Sequence, residues 1–300
     1  MTGLKELVRR NSRLFFKDKG MFFTALITPI ILLVLYGTFL ARVYRDAFLL
    51  SVPEGLMLPE KLINGLVGGE ILSSLLAVSC VTVPFCANML MVTDRANGNI
   101  NDLTMSPVKP STLALSYYIA TLRSGILVSL TAVAGCFVYL AATGWYLSVA
   151  DVAFILVDTL LLVMFGTALS SCINFFLSTQ GQISAVGTVI SAGYGFICGA
   201  YMPISNFPEV LQKVVGFLPG TYATVLLRNH AMNGALDELG TYIPAESIKL
   251  IRDSVDCNIY FFGSRVSLLT MLLILAGSTA LLMGVYLLMN ILRSRTARSK

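Results

Sequence analysis

Six apolar stretches, at residues 21–41, 66–92, 113–142, 152–177, 183–202 and 266–292, dominate this sequence. A bilayer crossing takes about 20 mostly apolar residues. In hydrocarbon, a helix is one of the few structures that satisfies its own backbone. Each stretch meets that length, so the chain is expected to be an all-α integral membrane protein with six transmembrane helices. Composition agrees: 56% of the 300 residues are hydrophobic and 12% are charged, against about a quarter charged in soluble domains. A soluble enzyme, a disordered chain and a nucleic-acid-binding chain are thereby excluded. The first stretch follows a basic segment but is too long for the core of a signal peptide, and it is read as retained.

Six crossings place both ends on one side. Lys5, Arg9, Arg10, Arg13, Lys17 and Lys19 precede the first stretch, and Arg293, Arg295, Arg298 and Lys300 follow the last. The excess of cations puts both termini in the cytoplasm. Segments 42–65, 145–151 and 203–265 then face outward, and 93–112 and 178–182 face inward. Residues 4–19 read as an amphipathic helix, with Leu4, Leu7, Val8, Leu14 and Phe15 on one face and cations on the other. Such a helix is expected in the headgroup plane, its apolar side in lipid and its cations on phosphates.

Chemistry is sparse. The chain has no GxxxxGK[ST], GxSxG or HExxH, and His230 is its one histidine. The six cysteines show no ligand spacing, so no metal, cofactor or catalytic residue is expected on this chain. Glu70 and Asp158 lie within apolar stretches, where a carboxylate raises a functional question by default. The sequence leaves two roles open for each: structural or interfacial, or in contact with substrate or protons. Gly187, Ser191, Gly195 and Gly199 recur every four residues and form a stripe of small side chains. Such a stripe admits close helix approach, as a homodimer seam, as the wall of a path, or as packing within the chain.

Two connecting segments stand apart. After the fifth stretch, residues 203–208 lead into a short apolar run, Pro219-Gly220, and a second short run ending at Leu227. Neither run spans a bilayer, so a re-entrant hairpin is expected, with Glu209, Lys213 and Arg228 at the interface. The polar residues 229–264 read as an external cap. The inner segment 93–112 combines a charged start, Gly98, an apolar pair Ile100/Leu103 and a Ser106-Pro107 stop. It has the form of a short cytoplasmic helix able to take force from a soluble partner.

These two segments together resemble the type-2 ABC exporter permease family. Its inner loop runs approximately E-R-x-x-G-T-L-E-x-L-x-x-(T/S)-P, and Asp94-Arg95, Gly98, Leu103 and Ser106-Pro107 stand in the matching places. Asp94 replaces the family's Glu, and Gly-Asn-Ile-Asn replaces Gly-Thr-Leu-Glu. The family's outer re-entrant pattern falls on Pro203, Pro208, Leu211, Val214, Pro219, Thr221 and Tyr222. The resemblance covers the whole chain as one transmembrane domain. It implies a permease working as a dimer, with itself or a related permease, on two cytoplasmic ATPase subunits that carry ATP and magnesium. Asp94, Arg95, Gly98, Ile100, Asp102, Leu103 and Pro107 would then meet the ATPase. A central path lined by the second and fifth spans would draw on Phe85, Asn88, Met89, Ser184, Tyr194 and Phe196. The implied cargo is an amphipathic compound (drug, antimicrobial peptide or lipid-like molecule) leaving across a bacterial cytoplasmic membrane. A permease of the same fold exporting a lipid-linked polysaccharide is the nearer alternative, against which the long 203–265 segment argues. A membrane enzyme or a non-transporting sensor is the more distant one.

Overall fold

The computed structural model describes residues 2–50, 58–105 and 108–298, and these are almost entirely helical. One helix organises the rest. α4 (Glu60–Ala96) has 37 residues, about 55 Å at 1.5 Å per residue. It carries no one-sided apolar stripe, and its apolar window is buried on every side. A helix apolar all round belongs at the centre of a bundle. The expected second stretch therefore begins six residues early, since Glu60 opens the helix after Pro59.

Around α4 stand α2 (Lys19–Leu35), α6 (Pro110–Thr143), α7 (Val149–Asn174) and α8 (Gln180–Ile197), with α12 (Leu268–Arg298) on α7. α2 continues through a π turn at Tyr36–Leu40 into α3 (Ala41–Leu50), so helix occupies much of the expected outer loop 42–65. Its N-terminus is capped by the Asp18 carboxylate, which accepts from the Met21 N–H at 3.1 Å. α7 opens on a reciprocal capping box between Ser148 and Asp151, which satisfies two orphan donors at once.

Close backbone approach depends on glycines. A Cβ at Gly166 on α7 would strike the Cys80 carbonyl and the Val81 Cα of α4. A Cβ at Gly69 on α4 would strike the Ala231 carbonyl of α10 (Pro219–Leu239). Helices in lipid gain their association from van der Waals contact of this kind.

Among the described residues five helices are long and apolar enough to cross a membrane, Lys19–Asp46, Glu60–Ala96, Pro110–Thr143, Val149–Asn174 and Leu268–Leu292, and the bent pair Glu209–Val215 with Pro219–Leu239 makes a sixth where it counts as one span. The expected fifth span is α8, with 18 residues, whose polar start at Gln180 and Gln182 and repeated glycines dilute its hydropathy.

The expected re-entrant hairpin is asymmetric. α9 (Glu209–Val215) has 7 residues, but α10 has 21 and runs to Leu239. The two helices meet at 91° and together form a bent apolar pair. The start of the expected cap is thus buried helix. The remainder of that segment holds α11 (Ala245–Ser254) and a two-stranded antiparallel hairpin, β1 (Tyr260–Phe261) with β2 (Ser264–Arg265).

α1 (Thr2–Lys17) is amphipathic as expected, and part of its apolar face meets protein. Phe15 is buried against Val83, Cys86 and Ala87, and Leu7 and Leu14 pack on Leu90, Met91, Leu113 and Tyr117. The polar groups of that face also find partners inside the chain, as Asn11 Nδ2 does on Ser116 Oγ at 3.2 Å.

Candidate functional site

The C-terminal end of α4 is where four helices are tied together. Asp94 is buried there, although the sequence places it at the head of an exposed loop. Its carboxylate accepts from Arg10 Nη1 at 2.7 Å and Nη2 at 3.2 Å, from Tyr117 OH at 2.6 Å and from Asn99 Nδ2 at 3.1 Å. The Asp94 hydrogen bond in turn raises the pKa of the Arg10 guanidinium above its usual value. Arg95 points the other way. Its Nη1 donates to the carbonyls of Asn174, Phe175 and Leu177 at 3.3, 2.7 and 3.2 Å, and its guanidinium lies 5.6 Å from the Phe175 ring centre. The last carbonyls of α7 lack intrahelical partners and carry partial negative charge, so a cation is well placed there.

Gly98 then reverses the chain with φ +79°. In that left-handed region an L side chain costs about 1–2 kcal/mol, which is the physical reason for glycine. The short helix α5 (Asn99–Met105) follows. Ile100 and Leu103 turn onto Leu90, Met91, Leu113 and Tyr117, while Asp102 and Met105 face outward. Ser106 and Pro107 lie outside the described residues.

The six path candidates separate into two groups. Met89, Ser184 and Phe196 line one groove of about 800 Å³ between α2 and α8, with Cys86 and Met89 as its floor. Phe85, Asn88 and Tyr194 are buried within the chain and do not line it. Asn88 instead donates to Ser170 Oγ at 3.2 Å and Ser171 Oγ at 3.0 Å, joining α4 to α7. Tyr194 packs on Gly220 of α10.

The small-residue stripe is covered from inside the chain at three of its four positions. Met89 lies over Gly187, the Tyr201 ring over Gly195 and Ile204 over Gly199, which has φ +75°. Ser191 lines the groove. On the hairpin, Pro203, Pro208 and Pro219 each stand at the start of a helical turn, where a missing N–H is harmless. Tyr222 OH donates to the Gly216 carbonyl, and Thr221 Oγ1 donates to the Val215 carbonyl at 2.8 Å, so α10 holds the bend itself.

Arg228 is the largest departure from expectation. It is wholly buried rather than interfacial. Its Nη2 lies 2.7 Å from Glu70 Oε1, 3.3 Å from Ser74 Oγ and 3.1 Å from the Gly199 carbonyl. Nη1 is 3.6 Å from Asp256 Oδ2. Asp256 in turn accepts from the N–H groups of Ile204 and Ser205. Burial pushes the Asp256 carboxyl above its usual pKa, opposed by Arg228 and those two amides. Asp256 stands at φ +53°, and no pattern in the sequence marks it. Glu209 and Lys213 form an exposed pair at 2.7 Å. The other carboxylate in an apolar stretch, Asp158, is also buried and paired: its Oδ2 lies 2.6 Å from His230 Nδ1, and Phe154 stacks on that imidazole.

Among the described residues no nucleophile stands poised beside a base. The arrangement offers a side groove, a braced C-terminal end of α4 and a buried charge cluster linking α4, α10 and Asp256. No curated protein matches the chain. The family model described as ABC-2 type transporter matches residues 2–231, from α1 into α10, and the chain belongs to that family of transporter membrane subunits.

Proposed function

We propose that the chain is the permease half of an ATP-driven exporter that carries an amphipathic compound out across the cytoplasmic membrane, with both termini inside. Energy comes from two copies of a separate ABC ATPase that hold ATP and magnesium. A second permease copy completes the path. The observation that carries this reading is the bracing of α5. Its apolar side rests on α4 and α6, and the adjoining Asp94 and Arg95 reach α1, α6 and α7. A push on α5 would therefore shift four helices together instead of bending one loop. The outward side of α5, with Asp102 and Met105, is the surface offered to the ATPase.

The groove between α2 and α8 supports an amphipathic cargo. Thr24, Ser184 and Thr188 supply hydroxyls beside the apolar Ile27, Leu35 and Phe196. Ile31 in the groove and Leu33 on the crevice side of α2 are exposed and apolar, which suits a helix that meets lipid or a second copy. The decisive experiment uses the permease–ATPase complex in inverted vesicles. Leu103→Asp should leave the complex assembled and hydrolysing ATP while uptake falls at least tenfold. Uptake at the wild-type rate would overturn the coupling role of α5.

A further inference from the structure

α1 sends its cations in two directions. Arg10 turns inward to Asp94, whereas Lys5, Arg9, Arg13 and Lys17 recur every four residues and run along one line of the helix. Where α1 lies across α6, this row lines a trough of about 1310 Å³, and Arg123 of α6 joins it. No carboxylate lines the trough. Among the described residues none of the five cations has an ion pair or a side-chain hydrogen bond. Five cations without a counter-charge thus share one concave surface.

The trough does not end there. At Phe16 and Leu127, which line both spaces, it passes into a crevice of about 650 Å³ between α2, α4 and α6. That crevice is walled by apolar side chains such as Pro29, Leu72 and Leu75, and Gly135 and Tyr139 of α6 stand along it. From Arg123 to Tyr139 the α6 backbone rises about 24 Å, longer than the roughly 15 Å of one leaflet's hydrocarbon. Cations at one end and a long apolar slot at the other match the charge and shape of one molecular class.

We propose that the trough and crevice together hold one anionic phospholipid, its phosphate on Arg9, Arg13 and Arg123 and an acyl chain between α2 and α6. The lipid is a resident of the permease rather than its cargo, so the site stands whether or not the export reading holds. A lipid there would fill the gap beneath α1 and bind α1 to α6 on the side away from Asp94.

The test uses the full chain in nanodiscs of mixed phosphatidylcholine and phosphatidylglycerol, with bound lipid counted by native mass spectrometry after detergent exchange. Wild type should retain one phosphatidylglycerol per chain. The triple variant R9Q/R13Q/R123Q should retain it about tenfold less well, since each juxtamembrane cation contributes separately to holding an anionic headgroup. Gly135→Phe keeps every cation but fills the slot, where an added Cβ meets nothing within 4 Å, and should also lose the lipid. Lys249→Gln on α11 should lose none. Equal retention of the two lipids, or no loss in the triple variant, would overturn the proposal. So would displacement by inorganic phosphate with Gly135→Phe having no effect, which would make the site one for a free anion.

Discussion

At the scale of single residues, Arg228 carries the most electrostatic weight. A guanidinium with no exposed surface needs counter-charge, and Glu70 and Asp256 supply it from two different elements. Removing one partner of a buried pair leaves the other charged and unsolvated, which costs about 3–5 kcal/mol, while removing both together costs far less. Arg228→Met should therefore lower the thermal midpoint in detergent sharply. The double variant Glu70→Gln with Arg228→Met should recover much of the loss. Equal damage in the single and double variants would show that Arg228 acts through packing rather than charge. Asp94 works by the same logic at the C-terminal end of α4, where it holds α1 and α6 through Arg10 and Tyr117.

Among helices, the association rests on shape. α7 reaches the backbone of α4 through Gly166, and the atoms it meets are a carbonyl and a Cα, neither of which can swing aside. Gly166→Val should destabilise the bundle by about 1–3 kcal/mol, the usual effect of overpacking, measured by unfolding of the purified protein. Gly135→Ala, at a position open to space, should stay within about 0.5 kcal/mol of wild type. If the two substitutions behave alike, the close α4–α7 contact is not what holds these helices together. The bend between α9 and α10 obeys a second rule. Pro219 begins α10 without forfeiting a hydrogen bond, and the Leu218 N–H and the Thr221 hydroxyl both donate to the Val215 carbonyl at the end of α9.

For the whole molecule, α4 is surrounded by α2, α6, α7, α8 and α10, and the groove between α2 and α8 opens at its side. A cysteine at Ser184, which lines the groove, should react readily with a membrane-permeant maleimide, and bound cargo should slow the reaction. A cysteine at Asn88, buried against Ser170 and Ser171, should react far more slowly. The reverse order, read by mass shift, would place the path on the other side of α4.

How much of this was legible beforehand follows from the kind of information a sequence holds. Apolar runs and their lengths are one-dimensional, so the all-α membrane class, α1's amphipathic face, the glycine at position 98 and the prolines that start the hairpin's helical turns could be read directly. The length of α10 was misjudged because polar side chains from Asn229 onward resemble a cap until their partners are known. Asn229 itself donates to the Val225 and Cys257 carbonyls at 2.9 and 2.6 Å. Likewise Asn88 and Met89 are adjacent in sequence, yet only Met89 meets the groove. Successive helix positions differ by 100°, and only a neighbour can set the rotation. By itself the sequence determined that the chain lives in lipid, since hydropathy sums along the chain without regard to contacts. Only the tertiary structure decided that Arg228 meets Glu70 and Asp256, that Arg10 meets Asp94, and that α1 covers protein. Each of those pairings joins residues far apart in the chain, and a polar group stays buried only where folding brings its partner to it.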